Sequence, residues 1–293
     1  MRDAMMRTPE GMRDLLFGEC AARRAQGFDL TALFGERGFL EVSTPVLERY
    51  ELFVRTGSPI SEETMIKVIG SDGRICVLRP DNTAPIARLA ASRLQNEPLP
   101  LKLWYTQPVF RHGGSEILQA GAEIIGEADD AGAVSLAKEA VELIYRRPPH
   151  VEVSHAGILQ TLFSYFELSQ AQTEEALSLI GRKNFAALSD IYPKPLLKLV
   201  RLSGGIEVLD EAAKISPVLI TEPLDALRAL MNKVPDVAVD FGLAPSLGYY
   251  TGVFFRGYVG GAADAVLSGG RYDNLLGTLG KDAPAIGFAL YLE

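Results

Sequence analysis

The sequence predicts an α+β protein that combines an antiparallel β-hairpin with helices on either side of it along the chain. Residues 102–111 and 117–125 alternate with the period of a β-strand. Between these runs, His112-Gly113-Gly114-Ser115 has the composition of a tight turn. Residues from about 158 to 233 have a helical pattern almost throughout, and the carboxy-terminal part returns to strands and glycines. We therefore expect strands and helices that occupy separate stretches of the chain, with an antiparallel hairpin at 102–125 and a mainly helical segment at about 158–233.

The helices outside that insertion follow from apolar spacing and from helix-end signals. Leu30, Leu33 and Phe34 fall at helical spacing before Gly38, which predicts a helix that ends there. Residues 74–78 predict a strand, and the Asn82-Thr83 pair with a following proline predicts the start of a second helix. A third helix is predicted by the apolar stripe of Ala133, Val134, Ala137, Ala140, Val141 and Ile144.

Composition excludes several classes of function. Hydrophobic residues make up 47% of the 293 residues, with neither a membrane-length apolar run nor a secretion signal, so we expect a cytoplasmic protein. Two isolated cysteines and three scattered histidines offer no zinc-ligand spacing, and neither metal nor cofactor is expected. The net charge of −8 disfavours nucleic acid as a partner.

The second strand of the hairpin carries the strongest sign of a ligand site. Leu118, Ala120, Ala122 and Ile124 form one apolar face, so Gln119, Gly121 and Glu123 share the other. A polar face with a glycine at its centre predicts a floor where a small molecule approaches the backbone. The alternative is a solvated face on which Gly121 marks a bulge.

Charged residues near this face would suit an amino acid. Asp81 and Glu123 are suited to an ammonium group, and Arg111 to bidentate binding of a carboxylate. Taken singly, Asp81 is better explained as a helix-start residue and Arg111 as half of a hairpin ion pair. Only their co-location would favour the ligand interpretation.

Two segments rich in glycine and tyrosine, residues 248–255 and 268–273, are further candidates. Glycine lets backbone come close to a ligand, while the phenols supply aromatic walls with a polar tip. The same composition is also compatible with turns that bury aromatic side chains.

Several segments in correct order resemble the catalytic domain of the histidyl-tRNA synthetases. They are Thr44–Glu48, Leu78–Pro85, Val109–Arg111, Gln119–Glu123, Tyr249–Gly252, Ser268–Asp273 and Ile286–Leu290. The resemblance spans about residues 8–293 and implies a class II aminoacyl-tRNA synthetase fold. That fold would be an antiparallel sheet flanked by helices, with a mainly helical insertion at about 158–233, and it would dimerise near Pro45. A single domain over 1–293, without an anticodon-binding domain, is expected.

Residue by residue, the resemblance implies a histidine-binding site. Asp81 and Thr83 match the positions that hold the α-amino group, although synthetases have Glu where this chain has Asp81. Arg111, Gln119 and Glu123 match strand positions that line the same pocket. Tyr250 and Tyr272 match the family's tyrosines around the imidazole. Tyr249, the other member of the Tyr-Tyr pair, is also expected to bind histidine.

The adenylation machinery of the synthetases is not matched. Stabilising the charge that develops on ATP requires cationic groups. The loop from His112 to Glu116 has no arginine, Pro245 stands where the family has another, and the sequence ends at Glu293, before the position of the last. We therefore expect no catalytic residues.

A histidine pocket without ATP and tRNA handling resembles the regulatory subunits of ATP phosphoribosyltransferase. That family implies a short catalytic subunit as partner, L-histidine as feedback inhibitor in histidine biosynthesis, and a homodimer within a hetero-octamer. An active synthetase fragment and a stand-alone histidine-binding paralogue remain the alternatives.

Overall fold

The computed structural model describes residues 6–58, 60–111, 115–244 and 250–292. Its helices, in chain order, are α1 Phe17–Glu36, α2 Tyr50–Arg55, α3 Thr83–Ala91, α4 Asp130–Tyr145, α5 Ala156–Tyr165, α6 Gln170–Gly181, α7 Phe185–Ile191, α8 Lys194–Leu199, α9 Val208–Ile215 and α10 Thr221–Lys233. Its strands are β1 Leu40–Glu41, β2 Leu47–Arg49, β3 Lys67–Ile69, β4 Ile75–Leu78, β5 Leu101–Arg111, β6 Ser115–Ile125, β7 His150–His155, β8 Ser203–Gly204, β9 Val237–Asp240, β10 Val253–Tyr258, β11 Leu267–Arg271 and β12 Ala285–Leu292.

The strands form one large and one small sheet. The large sheet has the order β1-β5-β6-β12-β11-β10-β7-β9-β8, and its central pairs, from β5 to β7, are all antiparallel. Parallel pairs occur only towards its two edges, between β1 and β5 and between β7 and β9. The small sheet has the order β2-β4-β3. The predicted antiparallel sheet with flanking helices is confirmed.

The large sheet has two chemically different faces. Ala120, Ala122 and Ile124 of β6 are buried in the main hydrophobic core together with the apolar stripe of α4. The opposite face carries Gln119 and Glu123, which are also buried, with exposed fractions of 4% and 1%. The alternation predicted from the sequence therefore divides apolar core from polar site.

Local signals position the helices as predicted. Gly38 lies just beyond α1 with a φ of 77°, a conformation that glycine adopts readily. α3 begins at Thr83, directly after Asn82. Residues 156–233 form α5 to α10, interrupted by the two-residue strand β8. Within the described residues, no helix is long and apolar enough to cross a membrane.

Candidate ligand-binding site

A pocket of about 140 Å³ opens over the polar face of the large sheet, between β6, β11, β12 and the start of α3. Six of the residues predicted from the sequence line it: Asp81, Thr83, Arg111, Gln119, Tyr250 and Tyr272. Glu123 lies at its base, where its carboxylate is bonded to two of these residues. Tyr249 lies outside the described residues.

Glu123 is fixed at the base of the pocket by two hydroxyl groups. Thr83 Oγ1 donates to Glu123 Oε1 at 2.9 Å, and the Tyr272 hydroxyl donates to Glu123 Oε2. Burial raises the pKa of Glu123 to about 7, although both hydroxyl bonds favour the ionised form. A ligand that brings an N–H group or a positive charge would find an acceptor already oriented.

Asp81 serves the helix and the pocket at once. Its Oδ1 accepts from the backbone N of Ala84 at 3.1 Å, which caps the first turn of α3, and its Oδ2 accepts from Ser58 Oγ at 3.2 Å. Burial raises the pKa of Asp81, while the nearby Arg111 guanidinium acts in the opposite direction. The two interpretations of Asp81 offered by the sequence are therefore compatible.

Arg111 is not half of a hairpin ion pair, the alternative that the sequence left open. It makes no ion pair with any described residue, and its buried Nη1 has no hydrogen-bond partner among them. A buried guanidinium nitrogen without an acceptor is costly, which favours an anionic ligand at this position. Nearby, Asn82 Nδ2 donates to Gln119 Oε1 at 3.0 Å and fixes the amide of Gln119.

Gly121 follows neither expectation drawn from the sequence. Its pairing with β5 and β12 is regular, so it marks no bulge, and the face around it is buried. An ideal Cβ at Gly121 would lie 2.3 Å from the backbone carbonyl oxygen of Phe288 and 2.5 Å from the Tyr105 hydroxyl oxygen. The room above Gly121 is filled by the phenol of Tyr105 and not by an approaching ligand.

A second glycine, Gly270, also leaves room for a tyrosine ring. A Cβ at Gly270 would lie 2.7 Å from the ring of Tyr250, which stacks on Phe254 with centroids 5.7 Å apart. Tyr250 and Tyr272 are both buried, and both line the pocket. Gly270 lies beside Tyr250 because only a residue without a side chain leaves room for the ring, which agrees with the alternative that these segments bury aromatic side chains. Tyr250 and Tyr272 nevertheless also line the pocket.

The charges of the pocket are arranged along its length. Thr83 and Glu123 lie at one end, with Tyr272, while Asn82, Gln119 and Arg111 lie towards the other. Such a pocket is complementary to a small molecule that carries an ammonium group, a carboxylate and a polar ring. Among the described residues, no cluster of three or more His, Cys, Asp or Glu side chains is placed to hold a metal ion.

Some residues that line the pocket were not proposed as ligand-binding from the sequence, among them Asn82, Tyr105 and Tyr291. Tyr105 could have been predicted, because it is an even number of residues from Arg111 on β5 and therefore lies on the same face of the strand. The position of Tyr291 depends on the pairing of β12 with β6, which the alternation within one strand does not reveal.

The fold is that of a histidyl-tRNA synthetase-like protein of the class II synthetase type. Residues 11–293 match the family model described as histidyl-tRNA synthetase. A solved histidyl-tRNA synthetase from a Nostoc species, 21% identical, has a similar fold with a TM-score of 0.78 over 97% of this chain and 73% of that one.

More specific relatives are regulatory subunits. ATP phosphoribosyltransferase regulatory subunits from Clostridium acetobutylicum and Clostridium novyi are each 35% identical, over 97% and 98% of this chain and 77% and 74% of theirs. A solved ATP phosphoribosyltransferase regulatory subunit/histidyl-tRNA synthetase from Bacillus halodurans has a TM-score of 0.88 at 28% identity, covering 98% of this chain and 81% of that one. The chain belongs to the family of ATP phosphoribosyltransferase regulatory subunits.

Proposed function

We propose that this chain is a non-catalytic regulatory subunit that binds L-histidine in the pocket and controls a short ATP phosphoribosyltransferase catalytic subunit. The names of its relatives support the pairing with a catalytic subunit. The observation that carries the choice of ligand is the grouping of two buried carboxylates, Glu123 and Asp81, with the half-buried Arg111 around one small pocket.

In the proposed complex, each part of histidine has a counterpart in the pocket. The imidazole lies at the base, where Glu123 accepts a ring N–H beside Tyr272. Asp81 and Thr83 bind the α-ammonium group, and Arg111 binds the carboxylate through the nitrogen that has no partner among the described residues. The polarity of the pocket supports this orientation.

Regulation follows from linkage between the two subunits. Histidine inhibits only if it binds the inactive state of the complex more tightly than the active state. A coupling free energy of about 1–3 kcal/mol, typical of allosteric proteins, corresponds to a difference of about 5- to 150-fold in binding affinity between the two states. The arginine-poor sequence around positions 112–116 and 245 supports the assignment of catalysis to the partner.

The test is reconstitution with the short catalytic subunit from the same genome. We expect the two chains to associate at micromolar concentration into a hetero-octamer by light scattering, and the complex to be more active than the catalytic subunit alone. Histidine should inhibit the complex but not the isolated catalytic subunit. Failure to associate, or activity that histidine does not change, would contradict the proposal.

A pyrophosphate-exchange assay on the same protein tests the alternative of an active synthetase. Histidine-dependent exchange of pyrophosphate into ATP by this chain alone would establish the enzymatic alternative. We expect no exchange above background.

A further inference from the structure

On the face of β12 that lines the pocket, the side chains become larger along the strand. Gly287, Ala289 and Tyr291 are two residues apart, share one face and all line the pocket. They pair with Glu123, Gly121 and Gln119 of β6 respectively. Since a strand rises about 3.3 Å per residue, the floor from Gly287 to Tyr291 is about 13 Å long.

Tyr291 stands where this floor meets two further cavities. One cavity, of about 400 Å³, is lined also by Arg13, Arg23 and Ile117. The other, of about 580 Å³, is lined also by Arg256 and Tyr258. Tyr291 lines all three cavities, which places it at the boundary between the small pocket and the larger spaces beside it, and we call its side chain the partition.

The partition is held in place from several sides. The hydroxyl groups of Tyr291 and Ser268 are 3.0 Å apart and hydrogen-bonded. The carbonyl oxygen of Tyr291 accepts from the hydroxyl of Tyr145, and its backbone N donates to the Val266 carbonyl at 3.0 Å. A ring fixed by its tip and by its backbone resists displacement by a ligand.

The end of the pocket at which Tyr291 lies determines which ligands it would exclude. Tyr291 pairs with Gln119, at the end of the floor away from Glu123, and Arg111 lines the same pocket. In the proposed complex the carboxylate of histidine points to this end. A substituent on the carboxyl carbon would therefore run into the ring of Tyr291.

We infer that Tyr291 is a specificity-determining residue that restricts the pocket to free amino acids and excludes derivatives extended at the carboxyl group. This inference rests on the proposed binding of histidine. The Tyr291 side chain would be a second obstacle to amino-acid activation, besides the arginines missing around positions 112–116 and 245. Joining the carboxyl group to any large leaving group would require the space that Tyr291 closes.

The test compares three ligands by calorimetry: L-histidine, L-histidinamide and L-histidine 2-naphthylamide. Histidinamide removes the negative charge with little added bulk, so the ratio of naphthylamide to histidinamide affinity measures bulk alone. The wild type should bind the naphthylamide about 100-fold more weakly than histidinamide, since steric exclusion is a difference of affinities. In Tyr291→Ala, whose pocket joins the outer cavities, the two affinities should agree within about tenfold.

Matched variants separate bulk from other effects. Tyr291→Phe keeps the ring and should keep the exclusion, whereas Tyr258→Ala enlarges only the outer cavity and should leave it unchanged. Tyr291→Val, with high strand propensity, replaces Tyr291→Ala if the latter melts early. Comparable binding of both amides to the wild type, or no gain in either small variant, would overturn the inference. If histidine itself does not bind the wild type, the proposed function fails first and the inference fails with it.

Discussion

Glu123 and Gly287 are paired directly across β6 and β12, and the carboxylate of Glu123 fills the space that a Cβ on residue 287 would need. The charged group at the base of the pocket therefore depends on the absence of a side chain on the next strand. Gly287 has an ordinary strand conformation, so the requirement is one of room and not of backbone freedom.

Gly287→Ala should displace Glu123 and destabilise the fold by about 2–4 kcal/mol, because overpacking and the loss of two buried hydrogen bonds act together. Urea unfolding measures the stability, and calorimetry should show loss of histidine binding. Gly260→Ala is the control, since a Cβ there meets no atom within 4 Å. If Gly287→Ala matched this control in both measurements, the packing argument would be wrong.

Glu123→Gln should change how stability depends on pH. Burial raises the pKa of Glu123 from 4.5 to about 7, so the folded state binds the proton more tightly than the unfolded state. The associated stability is fully present below pH 4.5 and is lost as the pH rises through 7.

The neutral glutamine avoids this loss. Between pH 5 and 8.5, the free energy of unfolding of the wild type should fall relative to Glu123→Gln by about 2–3 kcal/mol. Comparing the two proteins cancels the contribution of Asp130, whose pKa burial also raises, to about 6. Parallel stability curves for the two proteins would show that Glu123 does not titrate in this range.

Asp81→Asn and Asp81→Ala should separate the two roles of this residue. Asparagine can still accept from the Ala84 backbone N, so it should retain the helix cap and lose only the charge, whereas alanine should also cost about 1 kcal/mol of stability. Both variants should weaken histidine binding by about tenfold or more, since a charge-assisted hydrogen bond is removed.

Asp129→Ala is the matched control for this pair. Asp129 caps α4 by accepting from Gly132 N at 3.0 Å, and it is not a pocket residue. Its loss should lower stability by a similar amount without changing the affinity for histidine. Unchanged affinity in both Asp81 variants would leave Asp81 with a capping role alone.

Arg79→Ala should destabilise the protein by more than about 3 kcal/mol, because the side chain is 1% exposed and its removal leaves several buried acceptors without a donor. Arg37→Ala removes an arginine whose ion pair with Glu139 is exposed and should cost less than about 1 kcal/mol. Thermal and urea unfolding of the two variants provide the comparison. Equal losses would show that burial does not set the contribution of Arg79.

The sequence was sufficient where one strand determines the outcome. Period-2 alternation on β6 correctly separated Gln119 and Glu123 from the apolar core face, because a buried sheet enforces that parity. The capping of α3 by Asp81 was also accessible, since it involves neighbours in sequence.

Prediction from the sequence failed where two strands meet. The space above Gly121 belongs to Tyr105 on β5, and the end of the pocket belongs to Tyr291 on β12. Both facts follow from inter-strand register, which an amphipathic pattern within one strand does not contain. Arg111 was ambiguous for the same reason, because whether an acidic side chain comes within its reach depends on how other segments of the chain are placed.

The buried guanidinium of Arg79 links the periphery of the molecule to the pocket. Its Nη1 donates to the carbonyl oxygens of Thr44 and Pro45 at 2.8 and 3.0 Å, while its Nε and Nη2 donate to the carbonyl oxygen of Pro108 on β5, three residues before Arg111. Two residues further along its own chain lies Asp81. A shift of the 44–45 segment would therefore break these bonds or move residues that line the pocket, so we expect the pocket and that outer segment to move together.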